Sequence, residues 1–389
     1  MLVIRMEFEI TLEDLQRIDP RIFVVLNEDK LKEIRQIIKN RHKTIKQFSK
    51  IIECNESFLG NILRGERKPK LIFFQKIRKL LDVELIDIAN RVVSKIRPNT
   101  CFIDIKSFPI KFSTTLASLV GHSFGDGHLN DRTFSFTNKY PELIDDVIEK
   151  VHKLPIQKIT MNKRFHKAIM IEFPKLVRDV LVASGGPVGN KIKKSFKIPG
   201  WIKDGSTEIK GSFLQALFDD EGSVKAKSRE IVIRFHKAIE LAENLHQFLE
   251  DVKFMLKELG IEGATTKESH RHEGINGKTL EKILRICGTF NFVKFQENIG
   301  FVNPRKKESL KRMIKNTQKL QLRVGEAKNK IIGLLKNSSQ LNTLEIAKLV
   351  EISHMATLFH LRQLEKEILI KRTRPFQPRK PHLWFLNIN

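Results

Sequence analysis

The sequence predicts an α+β protein with a pseudo-two-fold central domain, an all-helical module before it and a helix-and-hairpin module after it. Three observations predict this. "LVGHSFGDG", ending at Gly127, and "LQALFDDEG", ending at Gly222, are both nine residues long, apolar at the front and closed by acid–Gly, with their acids 95 positions apart. Each is followed by a strand pattern and then a helix pattern, in the same order. On either side, the chain changes to short amphipathic segments rich in Lys and Arg.

At 389 residues, with 41% hydrophobic and 30% charged residues, the chain is long enough for several cored domains and is not of disordered composition. Apolar runs such as "LASLV" are too short to span a bilayer. The opening "MLVIRMEFEITLEDL" lacks a signal-peptide core. Cys54, Cys101 and Cys287 show no zinc spacing, so reduced thiols in a cytoplasmic setting are expected. The net charge of +26 attracts polyanions through counterion release. It is clustered: residues 29–81 hold fifteen Lys/Arg against five Asp/Glu, and residues 326–389 eleven against five. Nucleic acid, double-stranded DNA before RNA, is the expected partner, with no membrane role.

Residues 1–28 read as an N-terminal extension, 29–90 as the helical module and 91–107 as a linker. "LKEIRQIIKNR" (31–41) spaces Leu31, Ile34, Ile37 and Ile38 along one helix face. "TIKQFSKIIE" and "NESFLGNILRGERKPK" then give two short helices around a turn. "SFLGNILRGERKP" resembles the recognition helix of the lambda repressor/Cro class of helix-turn-helix proteins. That resemblance implies Ser57, Asn61 and Arg64 facing DNA, Phe58, Ile62 and Leu63 packing inward, and Gly65 ending the helix left-handed.

The central block, about 108–320, divides into repeats of about 108–205 and 206–320. Small residues (Gly121, Ser123, Gly125 and Ala216) suit close approach of two helices. Leu119, Phe124, Leu214, Leu217 and Phe218 would anchor each helix in its own half. Glycine after each acid permits a sharp turn into a strand. If the helices pair, Asp126 and Glu221 meet, and two adjacent carboxylates call for a divalent cation between them.

Both nonamers resemble the LAGLIDADG motif of homing endonucleases, in the intein-type and archaeal branch. "GNKIKKSFKIPGWI" (189–202) and "LRICGTFNFVKFQENIGFVNPRKKESL" resemble flanking segments of that branch. The resemblance implies two αββαβ-type repeats forming a monomeric, metal-dependent DNA endonuclease. Asp126 and Glu221 would then hold Mg²⁺ or Mn²⁺, Glu221 replacing the more usual Asp. A basic residue in each half would assist: Lys197, with Lys194 and Phe196 competing for that slot, and Lys306 or, preferentially, Lys307. Asp220 is expected as a less probable ligand, Asp219 as a cap or turn residue, and His122 and His128 as structural or DNA-facing. Strands "TFSFTN", "KITMNKRFHKAIMIEF" and "EIVIRFHK" would form a saddle offering Arg132, Lys139, Lys158, Lys163, Arg164 and Arg234 to phosphates.

Residues 326–389 read as helices followed by "ILIKRT" and "HLWFLNI" strands, with "RPFQPRKP" as a wing tip and Thr343 as a helix cap. This resembles winged helix-turn-helix regulators. Met355, Leu358, Leu361 and Leu364 would face inward, and Ser353, His354, Thr357 and Arg362 would lie near the groove. A chain that starts with Met and finishes "WFLNIN" is not expected to self-splice. A DNA-binding regulator that keeps the scaffold without cutting is the alternative to a nuclease, and a maturase-like RNA binder is a third class.

Overall fold

The structure, a computed structural model, describes residues 9–83, 89–93, 100–165, 167–274, 277–338, 340–350, 352, 354–373 and 382–387. It divides into two compact units between Leu310 and Lys311. The first opens with β1 (Glu9–Ile10), α1 (Leu12–Ile18) and β2 (Phe23–Leu26). Four helices follow: α2 (Glu28–His42), α3 (Ile45–Ile51), α4 (Glu56–Leu63) and α5 (Leu71–Leu81). Thr44 and Asn55 cap α3 and α4 by accepting from the Gln47 and Ser57 amides at 3.1 and 2.8 Å. Leu59, Ile62 and Leu63 are buried between them, Phe58 is half-buried, and Gly65 ends α4 at φ +80°.

Residues 9–28, 91–93 and 100–107 are built into this unit rather than appended to it. β2 joins β3 (Ala89–Val93), β4 (Phe102–Asp104) and a later strand in one sheet, while β1 pairs with β5 (Ile110–Lys111). Cys101, Phe102, Ile103 and Ile105 are buried. The expected linker is therefore a sheet segment. Its strands are too short for their alternation to stand out beside the polar residues 94–99, which lie outside the described residues. Asp19, at the end of α1, meets the buried Lys175 at 2.7 Å, and Asp179 accepts from both Lys175 and Arg178. These charges tolerate burial because each has an opposite partner.

Two halves of like topology follow. The first is α6 (Thr114–Phe124), β6 (Gly127–Leu129), β7 (Phe134–Asn138) and α7 (Pro141–His152), then β8 (Ile156–Gln157), β9 (Asn162–Phe165), β10 (Ile169–Phe173) and α8 (Lys175–Ala183). β8 completes the β2-β3-β4-β8 sheet. A connector with the short helix α9 (Gly200–Lys203) leads to the second half. That half comprises α10 (Thr207–Glu221), β11 (Gly222–Lys225), β12 (Glu230–Ala238), α11 (Ala242–Glu258), β13 (Thr265–Gly274), β14 (Gly277–Cys287) and α12 (Thr289–Asn298). The sheets run β6-β7-β10-β9 and β11-β12-β14-β13, the same order in each half. The repeat is thus αββαββα, one strand and one helix longer than the expected αββαβ. The β13–β14 hairpin had gone unread because its charged residues hide the alternation, although Asn276-Gly277 is a hairpin signal.

Phe134, Phe136, Ile171 and Phe173 fill the core below the first sheet, and Ile231, Ile233, Ile283 and Leu284 are buried in the second. Phe124 corrects one expectation. It packs against Phe213 and Phe248 of the opposite half, with ring centroids 5.6 and 5.7 Å apart, whereas Phe218 stays in its own half against Phe295.

α13 (Pro304–Asn337) crosses the division between the units. The second unit adds β15 (Leu341–Asn342), α14 (Thr343–Val350), α15 (His354–Lys366), β16 (Ile370–Arg372) and β17 (Leu383–Leu386), with sheet order β15-β17-β16. Ile331, Ile346, Val350, Leu361, Leu364, Ile370 and Trp384 form its core. Asn342, not Thr343, caps α14: its Oδ1 accepts from the Leu344 and Glu345 amides, and Glu345 reaches back to the Asn342 amide at 2.8 Å. The Thr343 hydroxyl instead accepts from Trp384 Nε1 at 3.0 Å.

Candidate active site

The site is assembled where α6 and α10 lie side by side. A methyl at Gly121 would stand 2.6 Å from the Phe213 carbonyl oxygen and 2.9 Å from Ala216 Cβ, so only glycine permits this approach. The last residues of the two helices lead into Asp126 and Glu221. Helix C-termini present unpaired carbonyls and partial negative charge, so a carboxylate there needs compensation.

Compensation comes from two lysines, one per half. Lys191, in the connector, donates its Nζ to the carbonyl oxygens of Ser123 (3.3 Å), Gly125 and Gly127 (2.8 Å). Lys306, in the first turn of α13, donates to Phe218 and Asp219 at 3.1 and 2.5 Å. Burial lowers the pKa of both, while Asp126 and Asp220 act on each in the opposite sense.

The carboxylates remain strained electrostatically. Surrounding protein, then the charge of Asp220, raises Asp126 to about 6. Burial, then Asp126, raises Glu221 to about 7. Each acid that closes a motif is thus disfavoured in its charged form by burial and by a neighbouring carboxylate, with Lys191 and Lys306 working in the opposite sense. Asp126 Oδ2 accepts from Asn138 Nδ2 at 2.7 Å, which orients it.

Between the helices sits a buried ionic contact. His122 Nδ1 lies 3.1 Å from Asp220 Oδ2, and its Nε2 lies 3.6 Å from Asp146. Desolvation works against the imidazolium, but Asp220 and Asp146 prevail and raise His122 to about 9. Asp220 Oδ2 also accepts from the Asp126 amide at 3.1 Å. Gly125 makes room for it, because an added methyl there would collide with the Asp220 side chain. Asp219 accepts from the Val302 and Asn303 amides at 2.8 and 3.1 Å, and Asn303 Oδ1 in turn caps Arg305 and Lys306.

Residues 208–300 match a family described as a LAGLIDADG-like domain. The match lies within the second half of the core. Curated relatives include a protein named tRNA-splicing ligase RtcB from Pyrococcus abyssi, 31% identical over 50% of this chain and 23% of its own. Another is DNA-directed RNA polymerase subunit Rpo1N from Methanocaldococcus jannaschii, 28% identical over 61% of this chain and 19% of its own. The chain thus spans about a fifth of the length of the curated relatives it matches, and their names describe unrelated activities. Among solved structures, full-length DUF199/WhiA from Thermatoga maritima aligns over 65% of this chain and 90% of its own, with TM-score 0.33 and 14% identity.

Beside these two acids, other lysines stand where Lys197 and Lys307 were expected. Lys197 and Lys307 are exposed, whereas Lys191 and Lys306 reach the helix ends. Nothing in "GNKIKKSFK" distinguishes Lys191 from Lys194 or Lys197. Only the course of the connector past Gly127 does. On α13, Lys307 is turned about 100° from Lys306, so one of the two points away. Asp220, expected as an unlikely ligand, has its side chain fully buried and spent on His122 and the Asp126 amide.

The sheets' open faces carry fewer cations than expected. Arg132, Lys139 and Lys158 are exposed on turns, and Lys139 lies over Tyr140. Arg164 pairs with Met170, which in turn pairs with Thr137, opposite the core face, but Lys163 pairs with Ile171 and lies on the core side of the edge strand. Strand alternation separates this pair. Arg234 is half-buried on the open face, 4.0 Å from Glu281. In the helical module, Ser57 and Arg64 are exposed and Asn61 half-buried, and Arg64 bonds both Asn61 and Glu66. On α15, His354 and Arg362 are exposed and Ser353 lies outside the described residues. Thr357 is fully buried, so it cannot face a groove. The core stripe runs through Thr357, Leu361 and Leu364, leaving Met355 73% exposed. The expected wing tip, 374–381, is also outside the described residues.

The raised acids make stability depend on pH. Between the ordinary values of 3.8 and 4.5 and the folded values near 6 and 7, the folded chain binds more protons than the unfolded one, so these groups lose stability as pH rises. Glu221→Gln is therefore expected to melt higher than the parent at pH 8, by roughly 1–2 kcal/mol after solvent screening, and to match it below pH 4.5. Calorimetry of the metal-free proteins across pH checks this. His122 adds a slope of the same sign: its contribution is complete below 6.5 and is lost through about 9.

Proposed function

We propose that the chain is a DNA endonuclease of the LAGLIDADG type, acting as a monomer that hydrolyses phosphodiester bonds in double-stranded DNA. One observation carries this reading: the acids closing the two motifs share one electrostatic cluster at paired helix ends, each raised first by burial and then by a neighbouring carboxylate. Oxygen donors of this kind suit a hard divalent cation, Mg²⁺ or Mn²⁺, which would also relieve the mutual repulsion of the two carboxylates. Among the described residues no cluster of three or more His, Cys, Asp or Glu could hold a metal. Asp126 and Glu221 would therefore hold it with solvent or phosphate oxygens as companions. The ion, when bound, would lower the pKa of water and stabilise the leaving oxygen.

The chain's own residues then have separable tasks. Asn138 and Asp220 orient Asp126, one through its carboxylate and the other through its amide. Lys191 and Lys306 bring positive charge to either end of the cluster, where a phosphate's developing charge would be met. The two open sheet faces, through Arg164 and Arg234, and the turn residues Arg132, Lys139 and Lys158 would track the backbone. Helix-turn-helix modules at both ends would lengthen the footprint.

Those terminal modules also favour a second reading, a DNA-binding regulator that does not cut. Incubation with plasmid carrying the sequence of the native locus, with Mg²⁺ or Mn²⁺, separates the two. Linear product supports the nuclease. Tight binding that weakens steeply with salt, with no product under either ion, supports the regulator. Preference for structured RNA in competition would overturn both.

A further inference from the structure

Lys237 is a lysine on the core face of β12, alternating with Ile231, Ile233 and Phe235, and its side chain has no exposure to solvent. An ammonium in such a place costs several kcal/mol unless it is well partnered. Its Nζ donates to the Lys191 carbonyl at 2.7 Å and to the Lys194 carbonyl, and stands 3.4 Å from the centroid of the Phe196 ring. An unbranched apolar side chain would fill the same space without the desolvation that lowers Lys237 to about 8. It would not hold those carbonyls.

The two halves explain why this hold is needed. In the second half, Asp219 accepts from the amides of residues 302 and 303 and so fixes the segment that delivers Lys306. The matching position of the first motif is Phe124, which turns into the opposite half's core and offers no acceptor. The connector that delivers Lys191 has no such carboxylate; the Gly189 amide donates to Leu129 O at 2.8 Å just before it, and further contacts hold the rest. These are the Lys237 ammonium, the Ala238 amide donating to Ile192 O at 2.9 Å, and Asn244 on the Phe196 backbone. Of these, only Lys237 grips Lys191 itself.

We infer that Lys237 is a positioning residue: it holds the backbone of Lys191 and thereby sets where that ammonium lies at the end of α6. The inference rests on the reading of Lys191 as a working member of the cluster, and it is tested first without any reaction. Amine-reactive labelling of the full chain, read residue by residue by mass spectrometry, reports how Lys191 is held. In the parent, Lys191 is expected to label more slowly than the exposed Lys197 and Lys307. Lys237→Met should raise Lys191 labelling about tenfold, the equivalent of one net hydrogen bond, and leave Lys306 within about twofold. Lys237→Gln, which keeps a donor, should fall between, and it decides the matter if Lys237→Met does not fold. Asn244→Ala, which loosens the same connector elsewhere, should leave Lys191 slower than Lys237→Met does. Unchanged Lys191 labelling in a folded Lys237 variant overturns the inference. So does equal release by Asn244→Ala. Where the parent cleaves DNA, Lys191→Met/Lys237→Met should be no slower than Lys191→Met alone, and additive losses count against the inference. A parent that binds DNA without cleaving removes the nuclease reading and leaves the labelling result standing by itself.

Discussion

Asp126→Asn is expected to abolish DNA cleavage while leaving DNA affinity within about threefold, and Glu221→Gln to do the same. The expected loss is about 10³-fold or more in rate, since each change removes one of two anionic oxygen donors from a pair that would work as a unit. Asparagine keeps the shape of Asp126 and its place beside Asn138 and the Asp220-held amide, so binding geometry persists. Both neutral variants should melt at or above the parent in metal-free buffer at pH 8, because each removes charge that its surroundings disfavour. Loss of cleavage together with raised stability is a combination that misfolding cannot produce. Single-turnover cleavage of a labelled duplex, run beside anisotropy titrations at two salt concentrations, gives the rate and the affinity. Cleavage by Asp126→Asn at the parental rate would remove Asp126 from the reaction.

The second large effect is structural. Gly121→Val places a branched side chain where even a methyl would lie 2.6 Å from the Phe213 carbonyl oxygen. The obstacle is backbone of the partner helix, which cannot rotate away, so α6 and α10 must separate along their length. Overpacking of this kind costs about 3 kcal/mol or more, a fall of about 6–12 °C in melting temperature. Gly333 provides the contrast. It lies within α13 with nothing within 4 Å of an added methyl, so Gly333→Ala is expected to stabilise by up to about 1 kcal/mol. Calorimetry of the two variants beside the parent measures both effects, and a Gly121→Val protein that melts with the parent would show that the helices do not depend on this contact.

Much of this was legible in residue order. The two nonamers announced paired helices ending in acids, because apolar and small residues at helical spacing followed by acid–Gly leave few other uses for that pattern. Gly65, Asp126 and Glu221 lie where their neighbours in sequence imply. Other features lie beside the residue first expected: Lys306 rather than the preferred Lys307 at the end of α10, Asn342 rather than Thr343 as the cap of α14, and Thr357 in the core rather than facing a groove. The lysine at the end of α6, Lys191, lies six positions before Lys197. A helix turns about 100° per residue and a strand 180°, so a small error of phase sends a side chain to the wrong face. Such an error costs little in recognising an element and a great deal in naming a functional residue.

By itself, the sequence determined the α+β class, the tandem repeat, the basic character of the chain and the acids that close each motif, since all of these follow from local pattern and composition. Only the tertiary structure decided which lysines serve the helix ends, that Asp220 bonds His122 across the halves, and that Phe124 leaves its own half. Each of these joins residues 64 to 124 positions apart, and no periodicity along one segment records which distant segment folds against it. The position of Lys191 shows the reason plainly: its charge reaches α6 because β12, 46 residues later, holds its carbonyl.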